Sequence, residues 1–382
     1  MANAIRFAVV GGGMMGREFV AAAAKWCHIL DKVPRPEVVA VSSVPEESLD
    51  WFRQNVPGLE VATTDYREAI ACPAVEAVYC AVPHYLHREI YTEILKAGKH
   101  LLGEKPFGMN REDNAAILAE AARHPGLVAR CGGQTPYFPG PWRIMRAIRE
   151  KRFGRVIEVE AEYLHSSDLN PTKPINWKRQ VKYCGEYGCM GDLAMHALFI
   201  PLRAGWMPES VSAVLNKIVE KRPDASGRMV ECDTWDNATI LCDVPTQEGH
   251  FPMTLRFHRI APGEVNSWNL TIRGMRMSAR FSLKYPRTLE TLSYEPGGPQ
   301  AWMREDLTYE SVYKTIAGGI FEFGYADAFQ QMIAAFCDQV AKGPEGEVPF
   351  GCVTLEETRQ QHAILTAALT SNREHLVARV AM

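Results

Sequence analysis

The chain has 382 residues, of which 47% are apolar and 23% charged, and its formal net charge is -3. That is enough chain for two domains of ordinary globular composition. The near-balanced charge gives no electrostatic reason to expect nucleic acid or an anionic membrane as partner, and no apolar run approaches the ~20 residues of a membrane span.

The ten cysteines are thinly spread, and Cys80 and Cys242 fall inside apolar strands. This pattern predicts reduced thiols rather than a disulfide framework. Cys184 and Cys189 flank a glycine-rich loop with no second pair nearby, so no metal site is expected. The first predicted strand begins at Ile5, which leaves no room for a signal peptide, and a cytoplasmic location is expected.

Ile5–Val10 reads as a short apolar strand, followed by Gly11, Gly12 and Gly13, then Met14, Met15 and Gly16, and an alanine-rich helical run. Gly11, Gly13 and Gly16 fit G-x-G-x-x-G directly after a strand and opening a helix. The first glycine permits the tight turn, the second a close approach to a pyrophosphate, and the third close helix–strand packing. The helix start then offers free N–H groups to phosphate charge. An ordinary glycine turn is the alternative; the flanks favour dinucleotide binding.

Residues 38–43 read as a buried parallel strand. An NAD site usually ends this strand in an acid that meets the ribose hydroxyls. Here Ser42 and Ser43 occupy the end, followed by Val44, with no acid before Glu46 and no arginine for a 2′-phosphate. NAD and NADP both remain open.

Helices are predicted over 46–55, 66–71, 87–97 and 111–123, alternating with strands at 59–63, 75–82, 100–103 and 127–131. Such alternation means βαβ units and a parallel sheet, with ligands beyond the carboxyl ends of the strands. That rule selects the glycine turn, Pro83 and His84 with His87, and Glu104-Lys105-Pro106. The texture changes near Cys131, where a Gly/Pro-rich hinge containing Gln134 leads to a basic amphipathic helix at 142–151. From Arg155, long segments alternate with period two and predict a mostly antiparallel sheet. A helix at 191–202 interrupts them early, and helices at 326–342 and 355–370 close the chain. Residues 221–228 and 296–299 read as surface loops. The expected division is a Rossmann domain over 1–131 and a substrate and oligomerisation domain over 132–382.

Two clusters could carry chemistry. Lys105, beside a nicotinamide, could hydrogen-bond an alcohol or carbonyl oxygen and favour a developing alkoxide; alone, it reads equally as a surface Lys–Glu pair. Asp192 and His196 share one helical face at i, i+4, just after a glycine-rich loop. A neutral imidazole could take the alcohol proton while the carboxylate orients the substrate; a buried structural pair is the alternative.

The ordered combination of GGGMMG, AVPHYLH, AGKHLLGEKP and the D-x-x-x-H helix resembles the Gfo/Idh/MocA oxidoreductases across essentially the whole chain. The resemblance implies a Rossmann domain, then an α/β domain with a large open sheet. It also implies NAD or NADP, and a sugar or polyol substrate. Lys105, Asp192 and His196 then fall on the family's reacting residues, with the histidine as acid/base. It further implies that Gly11, Gly13, Met14, Met15, Gly16, Ser42, Ser43, Pro83, His84, His87, Glu104, Lys105 and Gln134 surround the cofactor. Three positions depart from the family's habit: Gln134-Thr135-Pro136-Tyr137 replaces an asparagine-x-arginine-phenylalanine segment, His84 stands for a common asparagine, and Ala194 for a common glycine. Tyr163, His165, Trp177 and Lys178 are candidates to line a carbohydrate pocket with Lys105, Asp192 and His196. Tyr163 and His165 lie two apart on one strand and so face the same way.

The leading expectation is an NAD(P)-dependent dehydrogenase or reductase acting on a secondary alcohol or ketone of a sugar, polyol or glycoside. A redox-assisted glycosidase or lyase, and a nucleotide-sensing regulator, are the rivals. An open sheet leaves apolar surface bare in a monomer, so a homodimer or homotetramer is expected.

Overall fold

The computed structural model describes residues 4–382, which divide into two compact units. The first holds residues up to Gly108, Glu112–Tyr137 and Ser311–Leu355; the second holds Met109–Arg111, Phe138–Glu310 and Glu356–Met382.

In the first unit, β1 (Ala4–Val10), α1 (Met14–Ala24), β2 (Arg35–Ser42), α2 (Leu49–Asn55), β3 (Val61–Thr63), α3 (Tyr66–Ala71), β4 (Ala77–Cys80), α4 (His87–Lys96), β5 (His100–Gly103), α5 (Arg111–Arg123) and β6 (Ala129–Cys131) alternate. All six strands are parallel, in the order β3-β2-β1-β4-β5-β6. This is the doubly wound arrangement, whose order reverses beside β1 and opens a crevice at the strand ends. The run expected as one helix over 46–55 begins instead as a 3₁₀ turn, Glu46–Ser48.

The second unit contains α6 (Pro139–Arg149), β7 (Val156–Leu164), α7 (Val181–Cys184), α8 (Cys189–Arg203), β8 (Ser210–Asn216), β9 (Lys221–Pro223), β10 (Met229–Glu231), β11 (Asn237–Thr246), β12 (Gly249–His258), β13 (Ser267–Gly274), β14 (Met277–Ser282), β15 (Thr288–Ser293) and β16 (Met303–Asp306). Nine strands form one sheet, β16-β15-β14-β13-β7-β12-β11-β8-β17, in which only β7 and β12 run parallel; β17 is Ala378–Arg379. Fourteen of the fifteen residues of α8 are buried, from Cys189 to Leu202. A helix apolar on all sides is a core helix, and this one packs on β7, β11, β12 and β13.

Two expectations need correction. Residues 221–228 were read as a loop, yet Lys221–Pro223 pairs antiparallel with Met229–Glu231. The three-residue strands are too short to show a period. The helix expected at 326–342 forms as α9 (Tyr325–Lys342), but it packs with the first unit, outside the span 1–131. Phe336 meets Phe7 at 6.0 Å between ring centroids, and Gln330 donates to the α1 carbonyls of Ala22 and to Lys25 at 3.2 and 2.9 Å. Contact between residues ~300 apart leaves no mark in local periodicity. α10 (Leu355–Glu374) then returns to the second unit.

All ten cysteines are free, nine of them buried. Among the described residues, no helix is long and apolar enough to cross a membrane.

Candidate active site

The glycine turn is fixed by sterics. Gly11 has φ +103°, and a Cβ there would lie 2.3 Å from the Ala81 carbonyl oxygen. A Cβ on Gly16 would lie 2.2 Å from the Gly11 oxygen. Gly13 differs: no atom stands within 4 Å of its missing Cβ, so its face is open. It caps α1 with no side-chain hydrogen bond and no acid in the first turn. A helix start of this kind presents N–H groups and a positive dipole end to an anion. The residues present therefore fit a dinucleotide diphosphate.

Ser43, expected near the ribose, also braces this turn. Its Oγ accepts the Gly12 N–H at 3.1 Å and lies 2.6 Å from the Ser48 hydroxyl. Ser42 and Ser43 are both buried, Met14 is exposed and Met15 half-buried. Pro83 is half-buried and precedes a 3₁₀ turn holding His84. The buried His87 ring stacks on Tyr91 at 4.7 Å, with Nε2 on the Val82 carbonyl at 3.0 Å. Gln134 is half-buried and its carbonyl accepts from Tyr137.

At the end of β5, three residues that the motif alone does not reveal hold Glu104-Lys105-Pro106. Tyr79 donates to the Glu104 carboxylate at 2.8 Å, Tyr91 donates to the Glu104 carbonyl at 2.8 Å, and Asn114 donates to the Phe107 carbonyl at 2.9 Å. Both tyrosines lie in apolar stretches and read as core; only the phenol marks a second use. Phe107, at φ +62° and fully buried, anchors the turn beyond the half-buried Lys105.

In the second unit, Gly188 (φ +55°) lets the chain pass so close to Trp235 that a Cβ would lie 2.7 Å from its nitrogen. The Cys189 N–H then donates to the Trp235 carbonyl and α8 begins. This sets Asp192 in the first turn, where a carboxylate is favoured. Asp192 is 5% and His196 7% exposed.

The Asp192 carboxylate is gripped from two sides. Lys178 Nζ lies 2.9 and 3.0 Å from its oxygens, and Arg259 Nη2 lies 3.3 Å from Oδ2. Arg259 is fully buried and also donates to the carbonyls of Lys178 and Gly188. Burial is the largest influence and opposes its charge, but the Asp192 carboxylate together with the Cys184 and Cys189 sulfurs holds the guanidinium above its usual range. Lys178 was expected as a substrate contact; the structure shows it paired with Asp192 and 5.5 Å above the Trp177 ring. The His196 ring packs 4.9 Å from Tyr163, and its carbonyl accepts the Trp268 N–H at 2.7 Å. Beyond Tyr163, whose hydroxyl donates to Asn266, lies His165.

Arg259 was missed, although a signal existed. Met253, Leu255 and Phe257 are the inward residues of β12, and Arg259 continues their alternation.

Residues 5–130 match the family model described as an oxidoreductase family with an NAD-binding Rossmann fold. Through this first domain the chain matches the Gfo/Idh/MocA oxidoreductases. The levoglucosan dehydrogenase of Pseudarthrobacter phenanthrenivorans is 28% identical over 221 residues, 57% of this chain and 56% of that protein. The 1,5-anhydro-D-fructose reductase of Ensifer adhaerens is 30% identical over 192 residues, covering 50% and 54%. The chain thus spans little more than half the length of these curated relatives in alignment. In three dimensions the shared fold extends further: a structure of levoglucosan dehydrogenase with NADH and levoglucosan superposes with TM-score 0.85 over 99% of this chain and 100% of that one, at 22% identity. An inositol dehydrogenase homologue of Azotobacter vinelandii bound to NAD+ gives 0.80 over 98% and 97%, at 18% identity.

Proposed function

We propose that the protein is an NAD(P)-dependent dehydrogenase or reductase acting on a secondary alcohol or ketone of a sugar or polyol. The observation that carries this reading is the built site at Asp192 and His196. A carboxylate is fixed by two cations, and an imidazole is presented one helical turn later. A family able to bind NAD through its first domain, with named sugar dehydrogenases and reductases among its relatives, supports it.

A bound nicotinamide would accept or supply hydride at the substrate carbon. The chain's own residues manage the proton and the oxygens. His196 takes the hydroxyl proton during oxidation and returns it during reduction. Asp192, pre-oriented by Lys178 and Arg259, accepts from a neighbouring substrate hydroxyl, so its geometry costs nothing at the moment of binding. Lys105 donates to the reacting oxygen and stabilises its developing charge.

Levoglucosan, 1,5-anhydro-D-fructose, glucose 6-phosphate and myo-inositol form a suitable panel, each incubated with NAD(H) and NADP(H). We expect a change in reduced-nicotinamide absorbance with at least one compound and one cofactor. No change with any, in either direction, rejects the reading.

The sheet of the second unit supports an assembly of copies. β8 and β11 alternate buried and exposed residues, and their outward face includes Val214 at 61% and Leu241 at 53% exposed. A second copy covering that face makes a homodimer or homotetramer, and sedimentation at the mass of one chain refutes this.

A further inference from the structure

Three rings stand in a row on the second unit. His196 packs 4.9 Å from Tyr163, and the His165 ring lies 6.5 Å from Tyr163, nearly perpendicular to it at 85°. His165 closes the row just past the end of β7, on the same face as Tyr163. Its two nitrogens differ in what they meet. The Ser167 backbone N–H donates to Nδ1 at 3.3 Å, and the Ser167 hydroxyl lies 2.9 Å from the same atom. A ring nitrogen that accepts an N–H carries no proton of its own. In the neutral ring the proton must then sit on Nε2.

Nε2 has a different environment. Among the described residues no protein group hydrogen-bonds to it, although the residue is only half exposed. Nε2 is open to solvent, and so available to an acceptor that a ligand brings. The surrounding charges keep the ring from gaining a second proton. Burial is the largest effect; Arg259, Lys178 and Arg179 add to it and only Asp192 opposes, so the pKa is pushed down to about 4.

We propose that His165 is a specificity-determining group with a role opposite to that of His196: a neutral Nε2–H donor that holds a hydroxyl or ether oxygen of the substrate. The identity of the ligand rests on the function proposed above, whereas the tautomer does not. One imidazole exchanges protons and the other stays neutral near pH 7. A donor of fixed protonation accepts an oxygen but rejects an ammonium at the same place. An amino sugar with its nitrogen facing His165 is therefore a poor substrate, because two donors would meet without an acceptor.

Two variants separate the nitrogens. The amide nitrogen of glutamine reaches roughly where Nε2 lies, and that of asparagine where Nδ1 lies. His165→Gln should keep KM within about twofold, while His165→Asn and His165→Ala should raise it about 3- to 10-fold with kcat little changed, the usual range for one neutral hydrogen bond. The compound used is the member of the panel that the wild type turns over best.

A second readout needs no turnover. In protein labelled with ¹⁵N-histidine, with the His165 signals identified by their loss in His165→Gln, Nε2 should be protonated and Nδ1 bare from pH 5 to 8. Adding the turned-over compound should shift the Nε2–H signal. An Nδ1–H tautomer, a charged ring at pH 6, or equal KM values for the Gln and Asn variants overturns the inference. So does an unmoved Nε2–H signal under turnover. Absence of turnover with every panel member instead rejects the proposed function, and the tautomer is still decided by the spectrum.

Discussion

In the first unit, the groups that would meet a diphosphate are backbone N–H groups, set in place by glycines within a stretch of six residues. In the second, Asp192 is held by Lys178, fourteen residues earlier, and by Arg259, sixty-seven residues later. Local backbone geometry tolerates no added Cβ where two chain segments touch. Distant side-chain electrostatics tolerates small changes of shape but not the loss of a buried charge. The two ends of the proposed reaction should therefore fail in different ways, and mutations can test that difference.

The largest effect is expected where chemistry is lost and neither construction is disturbed. His196→Ala should lower kcat by roughly 10²- to 10⁴-fold, the usual contribution of general acid–base catalysis. NAD(P) binding should stay unchanged, because the histidine belongs to the second unit and the glycine turn to the first. Steady-state kinetics with isothermal titration of the cofactor measures both. Equal loss in binding and turnover would break the division of labour.

Next comes the charge pair. Arg259→Met leaves the nearly buried Asp192 carboxylate with Lys178 as its remaining cation and removes the donor to the Gly188 carbonyl. Breaking a buried pair on one side costs about 3–5 kcal/mol of stability. Lys178→Met should cost less than about 1 kcal/mol, since that ammonium is more than a third exposed and partly replaceable by water. Thermal denaturation of the two variants orders them; a reversed order would show that Arg259 does not anchor Asp192.

The glycine turn should show the opposite pattern, with stability kept and binding lost. Gly13 sits at φ -69°, which alanine adopts freely, and its added Cβ meets nothing within 4 Å. The entropy gained by replacing glycine roughly offsets the poorer helix cap of alanine. Gly13→Ala should thus melt within a degree or two of wild type yet bind NAD(P) on the order of tenfold more weakly, because the methyl enters the space that a phosphate needs. Gly16→Ala, facing a backbone oxygen at 2.2 Å, should lose stability as well.

These contrasts also explain what the sequence could disclose. The alternating parallel sheet, the glycine turn and the position of Lys105 at a strand end depend on contacts within some thirty residues, and pattern shows them. The placement of α9 with the first unit depends on Gln330 reaching α1 and Phe336 reaching Phe7, which no local period records. The partners of Asp192 were hidden for two reasons. Lys178 lies in an irregular segment without a period. Arg259 obeys the inward parity of β12, but a charge at an inward position is discounted until its carboxylate is known. Ser43 shows a subtler case: its place at the strand end was legible, but its bond to Gly12 was not.

Acid tests the charges of the second unit through a single ring. His165 has a pKa of about 4 in the folded protein, against a usual value of 6.5, chiefly through burial. The sign follows from which state takes up the proton. Above pH 6.5 neither does, and His165 leaves stability independent of pH. Between 6.5 and about 4 the unfolded chain binds a proton that the folded ring refuses, so stability falls as pH falls. Below about 4 both states are charged and the loss levels off at about 3 kcal/mol. His28, His100 and His258 are shifted in the same direction, each mainly by burial, so the wild-type decline is steeper than one residue explains. His165→Gln removes only its own share. The difference in stability between variant and wild type should therefore be flat from pH 8 to 6.5 and move in favour of the variant by about 1.4 kcal/mol per pH unit at most between 6 and 4. Urea denaturation at half-unit steps across that range measures it. A pH-independent difference would mean that the ring protonates as readily folded as unfolded, and that Lys178, Arg179 and Arg259 do not act on it.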